Sequence, residues 1–381
     1  MKKGLFAVLF LVYSYFLIAQ NNPILAILKK DNSLLIKDLV DNPKKYKLKI
    51  CYSNQHNTFQ YRTNIQEYFF PASTAKLIFA LCAAEVLSAH QIPLSAKFCY
   101  RRDSSKALTD SVFWNNSPTI ASVFYKALTV SDNKAANLLY DIANLDFIQW
   151  RMKEWNMIQS IVSQRFSRVE TLKNRIHPAI LFLDTAKQNI ATLDSVVVPA
   201  YCTKYNKINC LVGKYHEENG RKIKKPYNFV LDNYVDLGEI HHLLIQLMAD
   251  STNKVIKLNS EYKHLIVNSL GLYPSECTNV NFKKEEGYYD HCRKYLLLGT
   301  EDTPKDSCLR IYNKVGLAYG FLTDVAFIKN DCDSVSFFLS VSLYVNADNV
   351  VNDGKYDYEK GMKMMKRIGE LFYEEEKNKH K

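Results

Sequence analysis

The sequence lacks several features that would assign it to common protein classes. It has no internal repeat and no linker rich in glycine or serine, so we expect one compact unit rather than a string of modules. Beyond the first twenty residues no run approaches eighteen consecutive apolar residues, which argues against a polytopic membrane protein. There is no paired C-x-x-C, and the nine histidines form no recognisable serine–histidine–aspartate arrangement, so we expect no metal site and no triad of that kind.

The composition is that of a folded, largely soluble protein. Hydrophobic residues make up 47% of the 381 residues and charged residues 23%, near the averages for globular proteins. The formal net charge of +11 raises the question of a nucleic-acid partner. Its densest clusters, such as residues 44–49 and 221–225, lack the interleaved aromatic residues of such a binder, so we expect none. A surface that faces anionic wall polymer and a merely solvated surface remain as alternatives.

The first twenty residues have the layout of a secretory signal peptide. Lys2 and Lys3 precede an apolar run from Leu5 to Ala19 that ends on small or polar residues. We therefore predict a signal peptide over residues 1–20 and a periplasmic or secreted protein, with a retained anchor as the alternative. No cysteine follows Gln20 directly, which argues against a lipoprotein.

Export would place the cysteines where disulfides form. Their number, nine, is odd, so at least one has no partner within the chain. The pairs Cys202–Cys210 and Cys277–Cys292 are candidate loop bridges, although sequence does not fix connectivity, and Cys82 in an apolar helix suits packing.

Patterns of hydrophobicity predict an α+β fold. Strands are expected near both ends of the chain, at residues 46–52, 58–62, 311–315, 325–329 and 336–345, and they could pair into one antiparallel sheet. Helices are expected at residues 23–41, 71–87, 118–142, 235–249 and 356–376, with a capping box formed by Asp236 and Glu239. This order is not that of alternating βαβ units.

A first chemical motif lies at the start of an apolar helix. Ser73 precedes Lys76 by three residues, so both side chains lie on one face and the amine can reach the hydroxyl. A buried lysine with a lowered pKa can serve as the base that a serine nucleophile needs. The spacing alone is weak evidence, because it recurs at Ser131, Ser251 and Ser260, and the alternative is a helix-cap serine beside a solvated lysine.

Two later motifs raise the specificity of the first. Ser131-Asp132-Asn133 could by itself be an ordinary helix cap, and Lys314-Val315-Gly316 an edge strand. Serine-x-x-lysine, serine-aspartate-asparagine and lysine-x-glycine in this order form the signature set of class A β-lactamases and penicillin-binding proteins. From about residue 24 to 376 the chain therefore resembles the penicillin-recognising serine hydrolases, and within them most closely class A β-lactamases.

The resemblance implies a fold and an organisation. It implies a β-lactamase/transpeptidase-like α+β fold, in which an antiparallel sheet is flanked by N- and C-terminal helices beside an all-helical lobe. Residues 21–381 would form a single catalytic domain. Its sheet lobe would comprise about 21–70 and 305–381, and its helical lobe about 71–304, with an insertion near 195–233.

The resemblance also implies roles for individual residues. Ser73 would be the acylated nucleophile, Lys76 its proton acceptor and Ser131 a proton carrier to the leaving nitrogen. Asn133, Lys314, Gly316 and Leu317 would bind substrate, and the backbone N–H groups of Ser73 and Leu317 would form the oxyanion hole. Asp132 would be structural. No cofactor or metal is implied, and the partner would be a small β-lactam or a cell-wall peptide bound by a monomer without a membrane anchor.

Two departures bear on the activity. Val315 stands where the family normally has Ser or Thr, so a hydroxyl that binds the substrate carboxylate is lost unless a donor such as Thr323 replaces it. Class A enzymes deacylate through a glutamate and a water, and Glu170, flanked by Arg168 and Asn174, is the best candidate for it. The expected proline and Leu-Asn pair are absent nearby, so an extended segment is the alternative.

The sequence thus predicts a periplasmic serine hydrolase that hydrolyses β-lactams through an acyl-serine. The alternatives are a D-Ala-D-Ala carboxypeptidase or transpeptidase, and a slow or inactive binder of penicillin or wall fragments. The insertion could supply substrate contacts or be a surface decoration.

Overall fold

A computed structural model gives the fold. It describes residues 22–64, 67–101, 117–167, 172–199, 208–249, 255–278, 288–301 and 306–379. The predicted signal peptide, Glu170, Arg168 and Cys202 lie outside the described residues.

The central element is a five-stranded antiparallel sheet formed by both ends of the chain. In spatial order its strands are β12 (Leu309–Ala318), β13 (Phe321–Asn330), β14 (Val335–Tyr344), β1 (Lys49–Ser53) and β2 (Thr58–Tyr61). The predicted single sheet is therefore confirmed. Strand β12 continues three residues past Val315, because Tyr319 and Gly320 both have positive φ and close a two-residue hairpin whose twist suits the strands.

Helices from both termini cover one face of this sheet. They are α1 (Pro23–Leu28), α2 (Leu34–Asp41) and α10 (Tyr358–Asn378). The N-terminal helix expected over residues 23–41 is two helices, because the chain turns after Leu28 and Ser33 caps α2 through Ile36 N–H. Their apolar sides pack against the sheet. The core between the helices and the sheet includes Ile50, Val315 and Phe372.

The second lobe is mainly helical. Its helices are α3 (Ala75–Ala89), α4 (Ile120–Leu128), α5 (Asn133–Ala143), α6 (Leu145–Glu154), α7 (Leu237–Met248) and α8 (Ser260–Gly271), whereas the short turn α9 (Tyr295–Leu298) packs on the C-terminal helix α10. Helix α3 is the core of this lobe and is buried on nearly all sides. By length and composition alone Ala72–Ala89 could cross a membrane, but most of its surface is buried inside the protein.

The helix expected over residues 118–142 is interrupted. A loop at residues 129–132 separates α4 from α5, and Asp132 caps α5 by accepting from Ala135 N–H at 2.7 Å. The predicted capping box of α7 is only half formed. Asp236 accepts from Glu239 N–H, but the Glu239 carboxylate turns to the N–H groups of Gln159 and Ser160.

Nine short strands lie within the described sequence of the helical lobe. They are β3 (Lys97–Tyr100), β4 (Ile176–His177), β5 (Ile180–Leu183), β6 (Asn189–Leu193), β7 (Val196–Val197), β8 (Leu211–Val212), β9 (Tyr215–Glu218), β10 (Arg221–Ile223) and β11 (Tyr227–Asn228). Strand β9 pairs in parallel with β15 (Val350–Val351), which follows the main sheet. The described part of the expected insertion therefore bridges the helical lobe and the sheet.

A disulfide joins Cys308 to Cys332 across the base of the β12–β13 hairpin. The sequence did not single out this pair. The expected Cys277–Cys292 bridge is wrong, since these two sulfurs are not bonded to each other. Cys82 is fully buried in α3, as expected for a packing residue.

Candidate active site

Ser73 lies on a tight turn at the start of α3. Residues Ala72–Thr74 form one turn of 3₁₀ helix, in which the Pro71 carbonyl accepts from Thr74 N–H at 3.0 Å and from Thr74 Oγ1 at 2.6 Å. Ala72 adopts a φ of +44°, a conformation that costs a non-glycine residue free energy and is common at functional sites. Ser73 itself is half-buried.

Strand β12 presses directly on this turn at Gly316. A Cβ atom at position 316 would lie 2.5 Å from the Pro71 carbonyl oxygen and 3.3 Å from Ala72 Cβ. No side chain fits there, so the glycine of the third motif is explained by the close approach of the strand to the serine turn. Leu317 follows Gly316 on β12.

Lys76 is buried and points to the loop that carries the second motif. Its Nζ donates to the Ser131 carbonyl, to Ser131 Oγ at 3.2 Å and to Asn133 Oδ1 at 2.7 Å. Burial is what separates this lysine from others at the same spacing after a serine, because Lys134 is exposed. The structure therefore brings the first and second motifs together.

Lys314 reaches the same hydroxyl from the sheet. Its side chain is fully enclosed, and its Nζ donates to Ser131 Oγ at 2.9 Å. A serine hydroxyl has two lone pairs and one proton. Since both lone pairs of Ser131 Oγ are occupied by the two amines, its proton is left for a third group.

The loop around Ser131 is held from several sides. Ser131 has a φ of +67°, and Asp132 N–H donates to the Lys126 carbonyl at 2.8 Å. Thr129 Oγ1 donates to the Ser269 carbonyl at 2.8 Å, and Arg293 Nε donates to the Val130 carbonyl at 2.8 Å. These bonds fix a strained backbone in the geometry that presents the Ser131 hydroxyl.

Burial depresses the basicity of both amines. Desolvation lowers the pKa of Lys76 to about 7; the Asp132 carboxylate opposes this shift, and the Arg293 cation adds to it. The pKa of Lys314 falls well below its usual range, first because of burial and then because of the nearby Lys76 and Arg293 cations. Lys76 is therefore able to exist as a neutral amine near neutral pH, as a base must.

The structure places Val315 away from this cluster. Alternation along β12 puts its side chain on the opposite face from Lys314 and Gly316, in the core between the sheet and the terminal helices. Thr323, opposite Gly316 on β13, is only 2% exposed, and its Oγ1 is buried beneath the serine turn. Thr323 therefore does not replace the missing hydroxyl at the site surface, contrary to the expectation above.

A further support connects Arg293 to β12. Asn313 Nδ2 donates to the Arg293 carbonyl at 3.0 Å and to Asp324 Oδ1 at 2.7 Å, and Asp324 Oδ2 accepts from Leu296 N–H at 3.1 Å. The short segment from Arg293 to Leu296 thus holds both the Ser131 loop and the strand that carries Lys314. Sequence reasoning missed Arg293, which carries no local motif.

The segment expected to supply the deacylating glutamate brings an aromatic ring to Lys76. The Phe166 ring centroid lies 4.7 Å from Lys76 Nζ. Asn137 fixes the Phe166 backbone, since its Oδ1 accepts from Phe166 N–H at 2.8 Å and its Nδ2 donates to the Phe166 carbonyl at 3.1 Å. Asn137 lies four residues after Asn133 on one face of α5, a signal that the sequence did contain.

The neighbouring residues of this segment are firmly attached. The Arg165 guanidinium forms an ion pair with Asp141, and the Arg165 backbone N–H donates to Asn174 Oδ1 at 2.9 Å. The Asn174 carbonyl accepts from Tyr140 Oη at 3.0 Å. Asn174 is thus a structural residue that anchors the segment on α5, and residues 168–171 lie outside the described part of the chain.

Solved structures share this architecture. A class A β-lactamase from Bacteroides cellulosilyticus matches with a TM-score of 0.52 and 13% identity, over 92% of this chain and 96% of that one. The chain has the class A β-lactamase fold. An ancestral (GNCA) class A β-lactamase matches with a TM-score of 0.51 and 15% identity, over 90% and 99% of the two chains.

A β-lactamase from Sphaerobacter thermophilus matches this β-lactamase-like chain with a TM-score of 0.51 and 14% identity, over 92% and 94% of the two chains. Residues 34–196 match the β-lactamase enzyme family. No curated protein matches the chain by sequence. The predicted resemblance to this family is therefore confirmed by the family match and by the fold.

Proposed function

We propose that this protein is an exported serine hydrolase that opens β-lactams through an acyl-serine intermediate on Ser73. The observation that carries the proposal is the meeting of two buried amines, Lys76 from the nucleophile helix and Lys314 from β12, on the Ser131 hydroxyl. A helix-cap serine with a solvated lysine would not need this arrangement.

In acylation, neutral Lys76 takes the Ser73 proton while Oγ forms a bond to the lactam carbonyl carbon. The backbone N–H groups of Ser73 and Leu317 stabilise the oxyanion. The carbon–nitrogen bond then breaks, and the nitrogen receives the Ser131 proton. Ser131 recovers a proton from the lysines that it contacts, and Asn133 and Lys314 bind the polar groups of the substrate.

In deacylation, a water oxygen bonds to the acyl carbon and one water proton passes to a base. The ester bond breaks, and Ser73 Oγ takes up a proton. Glu170 is the sequence-based proposal for that base. If it has this role, Glu170→Ala traps the acyl-enzyme, whereas unchanged turnover removes Glu170 from the mechanism.

Two observations support export. The charged and apolar pattern of residues 1–20 is that of a signal peptide, and the Cys308–Cys332 disulfide suits an oxidising compartment.

A peptidase or penicillin-binding protein acting on D-Ala-D-Ala ends is the second candidate. Its Ser73 would be acylated in the same way, and the two candidates would differ in how the acyl-enzyme is resolved. It is favoured by the partners of Lys76, which among the described residues are a carbonyl, a hydroxyl and an amide oxygen but no carboxylate.

Turnover of a chromogenic β-lactam tests the proposal. Ser73→Ala should abolish turnover, whereas Ser260→Ala, an exposed serine at the same spacing from Lys263, should leave it unchanged. A stable stoichiometric adduct on Ser73, with release of D-alanine from a D-Ala-D-Ala peptide, would favour the second candidate. Absence of any adduct refutes both.

A further inference from the structure

The amine of Lys76 is enclosed by groups that cannot act as a base. Its three hydrogen-bond partners are all oxygen atoms of Ser131 and Asn133. The Phe166 ring lies against it at 4.7 Å. Among the described residues, no carboxylate bonds to this amine.

The position of the Phe166 side chain is set by its backbone. Asn137 holds both the N–H and the carbonyl of residue 166, and the ring rests on Phe79, with 5.5 Å between centroids. Because the Asn137 bonds involve only backbone atoms of residue 166, a different side chain there would point to the same place beside Lys76. Position 166 is therefore a well-defined position next to the reacting groups.

An aromatic ring at this place has two consequences for an acyl-enzyme. It fills space beside Lys76, and it offers no strong acceptor for a water proton. Hydrolysis of the ester on Ser73 requires both a water molecule and such an acceptor, since the water must lose a proton to a base as its oxygen bonds to the acyl carbon. Formation of the ester requires no water, because Lys76 takes its proton directly from Ser73.

Resting on the proposed acylation of Ser73, we propose that Phe166 sets the lifetime of the acyl-enzyme and makes its hydrolysis the slow step of the reaction. The protein would then react once with a β-lactam and release the opened product slowly. Phe166 acts here as a positioning residue, through the water and base that it keeps away from the ester.

The test measures the loss of the adduct separately from its formation. The full-length protein is treated with benzylpenicillin, excess ligand is removed, and the mass of the intact protein is followed with time. Phe166→Leu keeps an apolar cover and is the matched control for Phe166→Glu, which places a carboxylate beside Lys76. Stoichiometric acylation of each variant shows that it is folded.

We expect a persistent adduct in the unmodified protein, a lifetime within about threefold of this for Phe166→Leu, and loss at least ten times faster for Phe166→Glu. Equal lifetimes for the two variants would overturn the proposal. Rapid loss of the adduct in the unmodified protein, if Glu170→Gln abolishes it, would also overturn the proposal, because the Glu170 carboxylate would then be the base for hydrolysis. If Ser73 is never acylated, the proposed function fails, and this inference with it.

Discussion

The pH dependence of acylation provides the sharpest test of the role of Lys76. In the structure the pKa of this lysine is about 7, with burial as the main cause. At pH 7 about half of the amine is then neutral, whereas a lysine with the ordinary pKa of 10.5 would be neutral in only about one molecule in 3,000. The acylation rate should therefore rise with pH, level off above about pH 7, and not continue to rise towards pH 10.

Two substitutions should move this profile in opposite directions. The Asp132 carboxylate raises the pKa of Lys76, so Asp132→Asn, which retains a capping side chain for α5, should shift the rising limb to lower pH. The Arg293 cation lowers that pKa, so Arg293→Met should shift the limb to higher pH. Arg293→Lys keeps the charge and serves as the control.

The assay is the second-order rate of benzylpenicillin addition to Ser73 between pH 5 and 10, measured from the mass of the intact protein. Lys76→Arg, which cannot lose its proton near neutral pH, should slow acylation by about 10²–10⁴-fold. A limb centred near pH 10, or shifts of the same sign for Asp132→Asn and Arg293→Met, would show that Lys76 is not the base.

Three further predictions concern other parts of the protein. Val315→Thr should lower the free energy of unfolding by about 1–3 kcal/mol without speeding acylation, because the new hydroxyl would lie in the apolar core; faster acylation would instead place it at the site. Burial lowers the pKa of His241 to about 3, so the folded protein resists its protonation, and stability measured by urea unfolding should fall by up to about 1.4 kcal/mol per pH unit below pH 6. His241→Gln should flatten that dependence, and an unchanged slope would assign it to other groups. Replacing Cys308 and Cys332 by serine should cost roughly 3 kcal/mol for a bridge spanning 24 residues, and an unchanged unfolding midpoint would contradict this.

Local chemistry made much of the fold predictable. Alternating apolar residues located all five strands of the main sheet, and their positions at both ends of the chain predicted that they pair. The break between α4 and α5 was missed because Val130 continues the apolar pattern across it and Thr129 is buried beside it. The positive φ of Ser131 breaks the helix, and the spacing of hydrophobic residues does not reveal a backbone angle.

The candidate site was predictable only in part. Helical geometry relates Ser73 to Lys76, but it applies equally to other serine–lysine pairs in the chain. The decisive contact joins Ser131 to Lys314, which lie 183 residues apart, so only the order of the three motifs could suggest it. Phe166 and Arg293 owe their importance to tertiary packing, which a single sequence does not encode in any short pattern.

The basicity of Lys76 depends on tertiary contacts that bury its amine. Helix α3 supplies the amine, but the groups that enclose it come from the Ser131 loop and the segment of Phe166, and Lys314 closes the cluster from the sheet. Two ammonium groups on one hydroxyl repel each other, so the Lys76 cation lowers the pKa of Lys314. Since burial is the main cause of the lowered pKa of Lys76, exposure of its amine to water would return that pKa towards its ordinary value, and the limb near pH 7 therefore reports on this burial. Gly316, which has no functional group, matters to the chemistry because a side chain there would hold the lobes apart.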